Sequence, residues 1–217
     1  MEEYRQYNRN PQQGGDLGRI LAARKYVPVN TAIILINILV FFAVEATGSS
    51  ENTGHMLAWG AAGTRDIYLG HEYYRLVTSM FLHFGIQHLG NNMLVLFFIG
   101  DCLERSVGKI KYFLIYFLGG VGANILSLFL EIYKGEYVVS AGASGAVFAA
   151  IGGLLYVLLR NRGHVENFTS RQILLLAALS LYHGISSTGV DNAAHIGGLF
   201  CGFLLGILLY HKRAYKI

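Results

Sequence analysis

The distribution of apolar residues constrains this chain more than any motif in it. Six predominantly apolar stretches, at roughly residues 29–47, 86–103, 110–132, 143–160, 171–187 and 193–211, are bounded by polar interruptions. A transmembrane helix needs about 20 mostly apolar residues, so each stretch is long enough to cross a bilayer or nearly so. Hydrophobic residues make up 53% of the 217 and charged residues only 14%, with a mean hydropathy of +0.43, which is too apolar for a soluble domain of this length. The expected fold is an all-α membrane protein with six transmembrane helices over residues 29–211. A polar tail over residues 1–28 precedes them and a basic end over residues 212–217 follows.

Lysine and arginine set the orientation. Arg5, Arg9, Arg19, Arg24 and Lys25 precede the first stretch; Arg105, Lys109 and Lys111 follow the second; Arg160, Arg162 and Arg171 flank the connection between the fourth and fifth; Lys212, Arg213 and Lys216 end the chain. If the segments alternate, these fourteen of the 17 basic residues lie on one side. The positive-inside rule then makes both termini cytoplasmic. The pI near 9.0 thus reports topology and lends no support to a nucleic-acid partner. No small-residue cleavage site follows the first stretch, so a removable signal peptide is not expected. Cys102 and Cys201 fall in membrane segments, which argues against a structural disulfide. The sequon Asn167-Phe168-Thr169 falls in a cytoplasmic loop and is not expected to be glycosylated.

This topology gathers polar residues into one layer. Segments two, four and six all run inward from the outer face, with His88 and Asn92, Ser144, and His195 in their respective first turns. At about 1.5 Å rise per residue, all four side chains lie within about 10 Å of the outer surface. Polar groups at that depth are costly and face water-filled cavities or one another. His88 and Asn92, four apart, share a helix face, so two donors can converge on one oxygen. Ser144 stands beside Gly145 at a helix N-terminus, where free backbone N–H groups favour developing negative charge. His195 is the natural general base for a serine nucleophile. The aspartates offer no obvious third member: Asp101 belongs to the cytoplasmic end of helix two, and Asp191 reads as a surface-loop residue. The expectation is a Ser-His dyad, with Phe148 one turn after Ser144 as an aromatic wall for the imidazole.

Simpler explanations exist for each motif. Gly142, Ala143, Ser144, Gly145, Ala146 and Ala149 also form a small-residue face for close helix packing, as do Gly197, Gly198, Gly202 and Gly206. The two readings are compatible, since Gly198 and Gly202 can bring helix six close enough for His195 to reach Ser144. His83 and His88 are five apart, off a common helix face, and no His-Glu-x-x-His occurs, so no metal site is expected. Asn37, Asn124 and Ser127 read as interhelical hydrogen-bonding residues, and Glu104 with Arg105 as the tie of a cytoplasmic turn. The interval from about Gly60 to Gly85 is rich in aromatics, including Tyr68, Tyr73, Tyr74, Phe81 and Phe84 around Arg75. Such residues suit a membrane interface, so this first loop is expected to lie partly in the outer leaflet.

Taken together, these motifs resemble the rhomboid intramembrane serine proteases over about residues 70–206. Gly142 to Gly145 match the Gly-x-Ser-Gly of that family. His88 and Asn92 match its His-x-x-x-Asn, with His83 as the preceding histidine. Ala194, His195, Gly198 and Gly202 match its Ala-His-x-x-Gly-x-x-x-Gly, and Glu104 matches its glycine-flanked glutamate. The chain has Tyr74-Arg75 where many relatives have Trp-Arg, and Phe148 where many have tyrosine. The resemblance implies a six-helix rhomboid-like bundle that cleaves single-pass membrane proteins in or next to their transmembrane segments, without metal, cofactor or ATP. It also implies Ser144 as nucleophile, His195 as base and then acid, and His88, Asn92 and the Ser144 N–H as oxyanion donors. In the family, residues equivalent to about 171–192 are associated with substrate access and capping. The alternative is a non-catalytic relative that binds or dislocates transmembrane helices; such proteins usually lack the serine or the histidine. A small-molecule transporter would be expected to show repeats or interrupted helix pairs, and no convincing repeat is present. Oligomeric state is not legible.

Overall fold

The computed structural model describes residues 24–166, 168–186 and 189–211. The greater part of the tail, Asn167 of the sequon and the basic residues Lys212, Arg213 and Lys216 lie outside the described residues. Six long helical segments dominate. Helix α1 is Pro28–Thr47. Helix α2 runs without a break over Gly85–Val95, a π turn at Leu96–Gly100 and Asp101–Val107. Helices α3 to α6 are Lys109–Lys134, Ser144–Arg160, Ser170–Ser186 and Asn192–Leu209. Of these, α1, α3 and α6 are long and apolar enough to cross a membrane, and α4 is a shorter apolar helix.

The boundaries follow from local chemistry. Pro28 occupies the first turn of α1, where its missing N–H costs nothing. Helix α2 continues to Val107, four residues past the expected end, and stops at Gly108, whose φ of 90° suits glycine alone and redirects the chain into α3. Its π turn has an identifiable cause, since Asn30 Nδ2 donates to the Leu96 carbonyl at 2.8 Å and a side chain inserted into the ladder locally widens it. Gly100 makes room for that insertion: a Cβ there would stand 2.4 Å from Asn30 Oδ1.

Two small antiparallel ladders, which an all-α reading does not anticipate, join the loops. Strand β1 (Ala62–Gly63) pairs with β2 (Val139–Ser140), and β3 (His164–Val165) with β4 (Phe168–Thr169). The first matters here, because it pins the α1–α2 loop to the segment that leads into Ser144.

Helix α4 lies at the centre, buried along most of its length from Gly145 to Leu158. Where its backbone comes closest to α6, the two helices meet at glycines. A Cβ on Gly198 would lie 2.1 Å from the Gly145 carbonyl oxygen, one on Gly202 1.9 Å from that of Ala149, and one on Gly152 2.1 Å from that of Leu199. The two backbones touch, as small-residue helix packing in membranes allows. By contrast Leu35, Leu39 and Phe42 on α1, and Leu175 and Leu179 on α5, are exposed apolar surface, the expected character of lipid-facing positions.

Glu104 ties the end of α2 to the start of α1. Its buried carboxylate accepts the Val29 N–H at 3.1 Å and the Asn30 N–H at 2.7 Å, satisfying orphan donors at the start of α1. Asp101 accepts from Asn30 Nδ2 at 2.7 Å and pairs with Arg24. Arg105 lies 3.7 Å from Asp101 and pairs with Glu166 at 2.8 Å. The cysteines are free.

Candidate active site

Ser144 is the first residue of α4, preceded by Gly142 at φ 153°. That glycine is required twice over. Its φ strains any residue with a side chain, and a Cβ there would meet the His88 ring 2.6 Å from Cε1. The loop is held from behind by two bonds. The Gly142 N–H donates to the Ser79 carbonyl at 3.0 Å, and the Ala143 N–H donates to Nε2 of His83 at 3.3 Å. Burial, with the His88 ring beside it, lowers the His83 imidazole to about 3, so it is neutral and able to accept. The N–H of Ser144 itself, at the helix start, has no acceptor within the helix.

His83 and His88 do meet, contrary to the spacing argument. Their rings pack edge to face with centroids 5.1 Å apart. The spacing rule describes one continuous helix, whereas α2 begins at Gly85, φ 77°, after an extended Phe84. Asn92 is buried on the same helix, and its amide donates to the His88 carbonyl at 3.0 Å, leaving one N–H for another partner. Among the described residues no cluster of three or more metal-ligating side chains occurs.

His195 sits in the first turn of α6, 8% exposed, and its ring stacks on Phe148 at 4.4 Å with planes 14° apart. Phe148 is one turn beyond Ser144, and the backbone contact of Gly198 with Gly145 brings the two helix starts together. The structure thus places Phe148, Gly145, Gly198 and Gly202 on the seam between α4 and α6. Among the described residues no hydrogen bond joins Ser144 to His195, and His195 Nδ1 is buried without a partner. A cavity beside Ser144 is lined by Ser79, Asn124, Gly142, Gly145, Asp191 and Ala194, among others.

Asp191 requires a correction. It is no free surface-loop residue: it caps α6, accepting the Ala194 N–H at 2.8 Å, and it lines the cavity. The signal was available, since Asp before a small-residue helix start is a strong N-cap pattern. Ser79 gave no such signal; only the fold brings it here, where Asn124 Nδ2 donates to its hydroxyl at 3.2 Å. In the first loop, Arg75 is buried and donates to the Leu57 and Ala61 carbonyls at 2.7 and 2.9 Å. Tyr74 is exposed and donates to Glu72, which also pairs with Arg75.

The decisive comparison is at the level of the family. Residues 70–212 match the model of the rhomboid domain, an interval that contains α2 to α6 and every residue of this cluster. The chain belongs to the rhomboid family. Among its curated relatives, the rhomboid protease GluP of Bacillus subtilis (strain 168) is 39% identical over 181 residues, covering 83% of this chain and 34% of its own. RHOMBOID-like protein 4 of Arabidopsis thaliana is 41% identical over 159 residues, 72% of this chain and 39% of its own. The rhomboid protease AarA of Providencia stuartii is 31% identical over 212 residues, 86% of this chain and 75% of its own. This rhomboid therefore spans less than half the length of the first two relatives. Family membership and the apolar helices together make it a multi-pass membrane protein.

Proposed function

We propose that this rhomboid is an intramembrane serine endopeptidase that cuts peptide bonds in or next to transmembrane segments. The observation that carries the reading is the Phe148–His195 stack, which holds an imidazole beside the helix start that bears Ser144. Two named proteases among the relatives support it. In this reading six helices cross the membrane, both termini are cytoplasmic, and the site opens to the outer face with the first loop partly embedded above it.

The chemistry follows from the groups present. In this reading the His195 imidazole acts as the base. Ser144 Oγ attacks the substrate carbonyl carbon while its proton passes to His195. The negative oxygen is received by the Ser144 N–H, His88 and the remaining N–H of Asn92. Collapse breaks the C–N bond, and the His195 proton goes to the leaving amine. Water, deprotonated by His195, then hydrolyses the serine ester and restores both groups. Substrates are single-pass membrane proteins whose helix unwinds locally, because helical peptide bonds are otherwise hydrogen-bonded and shielded.

The rival, a rhomboid that binds or dislocates transmembrane helices without cutting them, is favoured by one observation, the missing Ser144–His195 hydrogen bond. Such bonds are often long without substrate and tighten only in the complex. A serine-directed fluorophosphonate probe, applied to the full chain in lipid, separates the two. Labelling of wild type and none of Ser144→Ala is the expected result; a wild type that never labels is the binding protein.

A further inference from the structure

Asp191 does more than close a helix. Its Oδ1 accepts the Ala194 N–H at 2.8 Å, its carbonyl accepts the N–H of His195 at 3.2 Å, and its Oδ2 accepts the Ser127 hydroxyl at 2.6 Å. Ser127 lies on α3 and is buried to 3% exposure. It also stands 3.1 Å from Glu131 Oε1, and the other Glu131 oxygen accepts from Thr64 Oγ1 at 2.7 Å. Thr64 follows β1 and exchanges backbone and side-chain hydrogen bonds with Val138, next to β2. A continuous polar chain thus runs from the first turn of α6, through α3, to the ladder that holds the segment leading into Ser144.

We infer that Asp191, tied down by Ser127, is a positioning residue that sets the first turn of α6 and so fixes the His195 ring opposite Ser144. The inference rests on the hydrolase reading above. Asp191 is not the carboxylate of a triad. Both its oxygens are engaged elsewhere, and His195 Nδ1 has no partner. Its effect is on geometry. The residue that caps the turn also accepts the His195 N–H, so releasing it lets that turn fray and the imidazole drift. Misplacement of a reacting group by about 1 Å costs up to about 100-fold in rate.

The test uses the full chain in lipid and the fluorophosphonate probe, with the maximal labelling rate and the half-saturating probe concentration measured separately. Ser127→Ala and Asp191→Ala are expected to lower the maximal rate about 10- to 100-fold with half-saturation unchanged. The double variant should be no slower than Asp191→Ala, because both changes break one tie. Asp191→Asn, whose amide can still cap Ala194 and meet Ser127, should recover most of the loss. Ser127→Ala removes a single hydroxyl and carries the test if Asp191→Ala does not fold. Labelling of both single variants at the wild-type rate, a loss confined to half-saturation, or losses that multiply in the double variant would overturn the positioning role while leaving the hydrolase reading intact. A wild type that does not label overturns both.

Discussion

At the scale of single residues, the cluster around Ser144 is organised by what each side chain cannot do elsewhere. Phe148 has no hydroxyl, and its contribution to His195 is a flat face at 4.4 Å. Stacked rings contribute about 0.5–1.5 kcal/mol beyond burial, so Phe148→Ala should slow probe labelling by about threefold to tenfold. Phe148→Tyr, which keeps the face, should stay near wild type. In the proposed mechanism His88 and Asn92 receive the oxyanion, and one such donor is worth about 100- to 1000-fold in rate. His88→Ala and Asn92→Ala should therefore each lower cleavage of a transmembrane substrate by that factor, in a turnover assay on folded enzyme. Most of this cluster was legible in the sequence, because the residues come in short motifs with fixed spacing. Asp191 was misjudged: its neighbours in sequence are loop-like, and its partner Ser127 is 64 residues away.

At the scale of elements, the seam between α4 and α6 decides whether the pair can meet. The approach is so close that one methyl group has no room: a Cβ on Gly202 would lie 1.9 Å from the Ala149 oxygen. Gly202→Ala must push the helices apart, and overpacking of this kind costs about 1–3 kcal/mol. Its unfolding midpoint in detergent should fall accordingly. Labelling of the remaining folded protein should fall too, because the Phe148–His195 contact lies on the same seam. The glycine spacing pointed to this packing, but the sequence alone left packing and catalysis as two descriptions of the same residues. The structure shows the packing, since the contact of Gly198 on Gly145 brings the helix starts together, and that approach is what the proposed catalytic pair needs.

At the scale of the whole molecule, the end of the bundle opposite the site is closed by buried charge. Glu104 bonds two N–H groups of α1, 75 and 74 residues away, and Asp101 gathers Arg24, Asn30 and Arg105 beside it. Hydrogen bonds to a charged group contribute about 1.5–3 kcal/mol each. Glu104→Gln, which keeps the shape but not the charge, should lower stability by about 1–3 kcal/mol in a denaturant titration, while the folded fraction labels at Ser144 as wild type does. A loss of labelling with unchanged stability would place Glu104 in the chemistry instead.

By itself the sequence determined the environment and the inventory. Apolar length dictates helices in a bilayer, because no other open structure satisfies the backbone there, and small-residue motifs at helix starts name Ser144 and His195. It could not determine contacts that cross long stretches of chain. The meeting of His83 with His88 depends on a turn at Gly85, the π turn on Asn30, the β1–β2 ladder on two loops finding each other, and the role of Asp191 on a serine from another helix. Helical periodicity carries information over one or two turns. These contacts arise only when helices pack, so tertiary structure alone decided them.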